Sequence, residues 1–333
     1  MKNFNFKRIK EELKSILLSC LLIFTCFVFI SASNVYAEDV ENKSDDTGDY
    51  TLDDTVVTAT KTGETKLQET PISITAFDAE LLEDRNTVDL QDLAKYSPNT
   101  NISGGQYPQV YIRGVGIDWS IVGNESGVGL YLNDVYLERG LGAGDSFVDI
   151  ERVEILRGPQ GTLWGRNSTG GAINIITKGA SDEFEADLRS EIGSFGKIRF
   201  DASVSGPIVK DKFKARLTVA DSKTDGYIDN VILGDELRGY EFTAVRGVLD
   251  YTPSDAITIE LRPSYLTSEH SGQAVKTTEI SLVPGYVPPA DPYDMEANFD
   301  PKGTVDSYGI STHVKIDLPN KLQLKSISAF TNR

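Results

Sequence analysis

Glu183-Phe184-Glu185-Ala186-Asp187-Leu188-Arg189-Ser190-Glu191-Ile192 alternates apolar or small residues with charged ones at a period of two. That is the period of a β-strand with one dry face and one wet face. The same beat returns four times downstream. Ile198, Phe200, Ala202 and Val204 alternate with Lys197, Arg199, Asp201 and Ser203. Phe213, Ala215, Leu217 and Val219 alternate with Lys212, Lys214, Arg216 and Thr218. Ile257, Ile259, Leu261 and Tyr265 alternate with Thr258, Glu260, Arg262 and Ser264, and Tyr308, Ile310, Val314 and Ile316 with Gly309, Ser311, His313 and Lys315. Gly239 to Tyr251 and Leu322 to Phe330 are weaker members, which makes about seven strands.

Such strands fit a soluble sandwich or a membrane barrel, and three features favour the barrel. The runs are about 10–13 residues long, as tilted membrane-spanning strands require. Their polar positions carry full charges in nearly every strand, which suits a wet lumen. Pro253-Ser254-Asp255 and Pro319-Asn320 are short connections and Gly206 to Asp211 is moderate, whereas Asp221 to Arg238 and Thr267 to Thr304 are long. Apart from a short turn at Gly193 to Gly196, short and long connections fall on opposite sides, like periplasmic turns and outer loops. Residues 181–333 are therefore read as antiparallel transmembrane β-barrel strands.

Upstream, residues 71–180 read as an α+β domain. Ile72 to Phe77, Gln109 to Ile112, Val153 to Leu156 and Ala172 to Thr177 are strand-like, and Asp78 to Asp84 and Val88 to Tyr96 are short helices, the second stopped by Pro98. Gly129 to Leu132 and Val135 to Leu137 form a hairpin, because Asn133-Asp134 tolerates positive φ. The glycine-rich run Gly158 to Gly171 is not a phosphate loop. No Lys follows Gly165 in the Walker manner, and Gly114-Val115-Gly116 completes no dinucleotide fingerprint. Its glycines suit tight turns and close backbone approach.

The N-terminus is basic at Lys2, Lys7, Arg8, Lys10 and Lys14, apolar from Ile16 to Ile30, and small or polar up to Val35-Tyr36-Ala37. Residues 1–37 thus have the layout of a secretory signal peptide cleaved after Ala37. Cleavage would remove both cysteines, Cys20 and Cys26, and take the formal charge from -17 to -20 by removing five basic and two acidic side chains. So acidic a chain is a poor nucleic-acid partner. Residues 38–70 read as a flexible tail, acidic over Glu38 to Asp54 and ending in the β-prone cluster Asp54-Thr55-Val56-Val57-Thr58-Ala59. Alone, that cluster reads as an unpaired linker; before a folded domain it suits β-augmentation of a partner's sheet. His270, expected in a loop, and lumen-facing His313 form no metal cluster with each other or with cysteine. No nucleophile–base set or cofactor loop is evident, so neither catalysis, cofactor nor metal is expected.

Several of these stretches together resemble TonB-dependent outer-membrane receptors of the siderophore type. Asp54-Thr55-Val56-Val57-Thr58-Ala59 looks like a TonB box. Val110-Tyr111-Ile112-Arg113-Gly114 is similar to a plug signature, and the run Val148 to Thr177 is similar to the most distinctive plug segment. That run carries Arg157-Gly158-Pro159, Gly165-Arg166, Gly170-Gly171 and Asn174. The resemblance implies a plug inside a barrel, with the TonB protein and its inner-membrane energising complex, outer-membrane lipid and a small-molecule or metal-chelate substrate as partners. It also implies active import, with a ferric siderophore as the commonest cargo and cobalamin or a carbohydrate as alternatives. Trp119, beside Ile117, Ile121 and Val122, falls in a plug loop of the kind that faces substrate. Packing at the plug surface is an equal reading. Arg113, Arg157 and Arg166 are expected either as surface charges or as lumen partners of Glu185, Asp187 or Glu191.

A plug of about 110 residues is roughly 35 Å across. About seven strands close a cylinder only near 15 Å wide, whereas about 22 strands reach roughly 45 Å. The chain is therefore expected to be part of a longer receptor. A plug-only binding module is the competing class. A signalling relative is disfavoured, since Glu38 to Asp53 is too short to fold as an extra domain.

Overall fold

The computed structural model describes residues 55–332, apart from 62, 64, 104–107, 118–124, 139–146, 272–286 and 300–301. Asp54 and Trp119 lie outside the described residues.

The first part is a small α+β body. Strands β1 (Val56–Val57) and β2 (Thr65–Lys66) form a two-stranded ladder. Then come β3 (Ile74–Asp78), helix α1 (Ala79–Asp84) and helix α2 (Leu90–Ala94). Each helix begins on an aspartate side chain: Asp78 accepts from Leu81 N and Asp89 from Asp92 N. β4 (Thr100–Ser103) and β5 (Gln109–Ile112) pair with each other. β6 (Val128–Leu132) and β7 (Val135–Tyr136) form the expected hairpin, with φ of 50° at Asn133 and 65° at Asp134. β8 (Ile150–Arg157), the one-turn helix α3 (Gly161–Trp164) and β9 (Gly171–Thr177) complete the body. The central sheet has the order β3-β8-β9-β6-β7, with β6 and β9 parallel.

Both faces of this sheet are covered. Phe77, Leu130, Val153, Ile155, Ile173 and Ile175 pack with Leu82, Leu90 and Leu93 of the helices. The opposite face carries Leu156, Ala172, Tyr131 and Trp164, and Ala59 packs against it. Here the structure departs from the sequence reading. Residues 55–61 are not a free tail: Val57 and Ala59 are fully buried. Hiding a valine and an alanine from water opposes the chain entropy that acidic composition alone would leave unmatched.

Among the described residues, the second part is one antiparallel sheet of seven long strands hydrogen-bonded in chain order. These are β10 (Glu185–Ile192), β11 (Ile198–Val209), β12 (Phe213–Thr224), β15 (Tyr240–Ser254), β16 (Ile257–Ser271), β18 (Lys302–Leu318) and β19 (Leu322–Asn332). Between them, β13 (Ile228–Asn230) and β14 (Asp235–Leu237) form a hairpin, and β17 (Asp294–Met295) joins β13 in parallel. The two long outer connections thus share a small sheet that sequence alternation did not show. His270 lies in β16 rather than a loop, with its ring 4.6 Å from that of Tyr240. One face of the seven-stranded wall is apolar and open: Phe184 is 77% exposed, Ile192 85% and Phe330 60%. The other carries the charged positions and meets the first body.

Candidate functional site

The site is the place where residues 55–61 lie against the α+β body. β1 pairs through Val56 with Lys66 and through Val57 with Thr65. Leu67 N donates to Thr55 O over 2.8 Å, and Lys61 N closes a turn on Thr58 O over 2.8 Å. Below this turn, Trp164 Nε1 donates to Ala59 O at 3.2 Å. The indole meets Tyr131 edge-on at 4.6 Å, and the Tyr131 hydroxyl donates to the Trp164 carbonyl. Desolvation, and then Tyr136, pushes the Tyr131 phenol up to about 12.

Glu154 is the polar centre of the dock. It is 0% exposed, and its Oε1 accepts from Thr58 N at 2.7 Å, Thr58 Oγ1 at 3.1 Å and Arg152 Nε at 3.0 Å. Its Oε2 is buried without a partner among the described residues. A buried carboxylate is stable only when paired and hydrogen-bonded. Arg152 supplies the charge and Thr58 supplies two donors.

Lys61 completes the seam. Its ammonium lies 3.8 Å from the centroid of the Trp164 ring and 3.5 Å from Asp134 Oδ1. Asp134 Oδ2 accepts from Lys325 of β19 at 3.0 Å. Burial pulls the Lys61 ammonium below its usual value, with Asp134 opposing. Burial pushes the Asp134 carboxyl up, but Lys61 and Lys325 outweigh it and hold it below the usual range.

The remaining residues singled out in the sequence scatter around this seam. Arg113 and Gly114 sit at φ 53° and 78° in the tight turn that follows β5. Arg113 donates to Ser73 Oγ at 3.1 Å, as does Arg157 at 3.3 Å. Neither arginine has a carboxylate partner among the described residues. Gly158 N, before Pro159, donates to Gly170 O at 2.9 Å. Gly165 ends α3 at φ 76°. At Gly171 a Cβ would lie 2.2 Å from Leu156 O, so close approach demands the glycine. Asn174 is fully buried and holds the Asp134 turn, Nδ2 to Asp134 Oδ1 at 3.2 Å. Arg166 pairs with Glu125 at 3.5 Å within the α+β body. The expected pairing of these arginines with β10 is therefore wrong. Glu185 and Asp187 face Arg216, and Glu191 takes Lys197.

The contact between body and wall is instead made by arginines of the wall. Four adjacent strands each contribute one. Arg199 of β11 donates to Phe147 O at 3.0 Å, and Arg246 of β15 to Val148 O at 2.6 Å. Arg216 of β12 grips the Asp149 carboxylate with two bonds of 2.6 Å, and Thr218 adds a third contact of 2.5 Å. Arg262 of β16 reaches Thr177 Oγ1 at 2.7 Å. Burial raises the Asp149 carboxyl, yet the Arg216 and Thr218 bonds hold it below the usual range. Alternation placed Arg199, Arg216 and Arg262 on the wet face; the partners were not readable, because two of the four are main-chain carbonyls and the Asp149 and Thr177 side chains lie at least 67 residues away in the chain.

A small α+β body thus sits on the charged face of an antiparallel wall whose other face is apolar. The chain carries a TonB-dependent receptor plug followed by antiparallel strands of a barrel wall. Residues 66–172 match the model of the TonB-dependent receptor plug domain. The chain is 27% identical over 207 residues to the ferric-pyoverdine 358 receptor of Pseudomonas putida, covering 60% of this chain and 24% of the relative. It is 28% identical over 204 residues to the pesticin receptor of Yersinia pestis, 60% of this chain and 30% of that one. In fold it is similar to the ferric yersiniabactin uptake receptor of Yersinia pestis, with a TM-score of 0.68 at 23% identity over 78% of this chain and 40% of that chain. The chain thus spans roughly a quarter to a third of the curated relatives it matches.

Proposed function

We propose that the chain serves TonB-dependent active import of a scarce substrate across the bacterial outer membrane, and that the substrate is a ferric siderophore complex. Residues 1–37 act as the export leader, cleaved after Ala37. Residues 54–59 are the segment that the TonB protein engages, and outer-membrane lipid covers the apolar face of the wall. The observation that carries the reading is the placement of Val56-Val57-Thr58. A short extended segment, joined to a plug and shallowly paired to it, can be drawn off and added to a partner's sheet. Relatives named for ferric pyoverdine and ferric yersiniabactin support the cargo class.

In cells expressing the gene that encodes this chain, deleting residues 54–59 is expected to abolish energised uptake of ferric chelates and leave their surface binding intact. Unchanged uptake overturns the coupling role.

A further inference from the structure

In the docked state the segment is closed to a partner strand. One edge of β1 is paired with β2, and Thr58 N on the next residue is spent on Glu154. β-Augmentation needs free main-chain donors and acceptors, so a partner can add only after the segment leaves. What resists leaving is a short set of named contacts: Trp164 Nε1 on Ala59 O, Glu154 on both donors of Thr58, and Asp134 on Lys61. Asp134 does not serve Lys61 alone. Lys325, on the wall strand β19, takes its other oxygen.

We propose that Trp164, Glu154 and Asp134 are the positioning residues that keep the coupling segment latched, and that Lys325 of the wall weakens the latch by competing with Lys61 for the single Asp134 carboxylate. The wall strand then sets how readily the segment is exposed. Moving β19 toward Asp134 favours release, and moving it away favours docking. Trp164 links both halves of the latch, because one indole binds the segment's carbonyl with its N–H and Lys61 with its face. The proposal rests on residues 54–59 being the coupling segment, but its geometry does not depend on which protein engages them.

Val57 is fully buried when docked, so a thiol there reports release. The exported chain is prepared in detergent with Val57→Cys introduced as its sole thiol, both native cysteines having left with residues 1–37, and labelling by a maleimide is timed. Trp164→Phe keeps a ring but loses the N–H, and is expected to speed labelling about fivefold, the worth of one buried hydrogen bond. Asp134→Asn keeps a residue suited to positive φ and loses the charge; it is expected to speed labelling roughly two- to fivefold. Lys325→Met is expected to slow labelling by a similar factor, and to have no effect once Asp134→Asn is present. General loosening of the fold would speed labelling in every variant, so the slowing by Lys325→Met is the discriminating sign. Faster labelling in Lys325→Met, or unchanged labelling in Trp164→Phe and Asp134→Asn, overturns the latch. Uptake that survives deletion of residues 54–59 overturns the coupling reading instead, whatever the labelling shows.

Discussion

The plug is held on two sides by unlike means. On the wall side, four arginines from adjacent strands converge on Phe147, Val148, Asp149 and Thr177. The central pair is dry, with Arg216 2% and Asp149 9% exposed, and it is bidentate. On the dock side, a two-residue strand is retained by single hydrogen bonds, two from Thr58 onto one oxygen of the Glu154 carboxylate that Arg152 also uses and one neutral bond from Trp164, and by a lysine pair in which Lys61 is 26% and Lys325 39% exposed. Charge-assisted bidentate bonds are about twice as strong as neutral ones, and exposure to water weakens ion pairs further. A force applied at the N-terminal segment therefore meets its weakest resistance at the dock.

The largest expected effect lies in that grip. Arg216→Met leaves Asp149 buried with only Thr218 beside it. Stranding one partner of a buried pair costs about 3 kcal/mol or more. Limited proteolysis at Lys178, whose N–H bonds to Asp149 O, should accelerate strongly. Adding Asp149→Ala should restore most of the protection, because the stranded charge is then gone. Protection unchanged in the single variant would mean that the arginines do not retain the plug, and the contrast between the two sides would fall.

Acid acts on the two sides alike. Asp149 and Asp134 both have folded carboxyls held below the usual value of 3.8. A depressed carboxyl contributes stability above its unfolded value and loses it as pH falls through the folded one. Both sides should therefore be flat between pH 7 and pH 5 and loosen only below about pH 4. Thiol labelling at Val57→Cys and cleavage at Lys178 would report them separately. A change in either above pH 5 would require a titrating group other than these two. Smaller again is Thr58→Val, which removes the hydroxyl donor to Glu154 and spares the main-chain one. It should weaken docking by about 1 kcal/mol and leave cleavage at Lys178 unaltered.

The two sides were also unequally legible in sequence. The wall strands, with Arg199, Arg216 and Arg262 on the inward beat, followed from alternation because each strand is apolar on one face and charged on the other. Asn133-Asp134 was readable because few residue pairs accept positive φ in succession. The dock was hidden for a physical reason. Arg152 and Glu154 alternate with Val153 and Ile155, so β8 looks like a strand with one wet face. That face is dry because residues 55–61 cover it, a contact spanning 96 residues between Thr58 and Glu154. β1 is too short to show any period, and the parallel pairing of β13 with β17 joins two loops distant in the chain. The plug motif named Arg157, Gly165 and Arg166 while the residues that meet the segment are Glu154 and Trp164 on the same run.

Arg166 provides the smallest and most diagnostic test of the comparison. Its sequence context invites a role in retaining the plug, equal to that of the wall arginines. Its surroundings argue otherwise. Arg166 is 63% exposed, its partner Glu125 is 43% exposed, and the two lie 3.5 Å apart on the plug itself. An exposed pair of this kind is worth about 0–1 kcal/mol, because water screens the charges and both side chains lose freedom in meeting. It also crosses no boundary between plug and wall. Arg166→Ala should thus shift thermal stability by less than about 0.5 kcal/mol and change neither labelling at Val57→Cys nor cleavage at Lys178. A loss of protection comparable to that of Arg216→Met would place a second anchor on the plug's exposed face. Retention would then no longer be the work of the buried wall arginines alone.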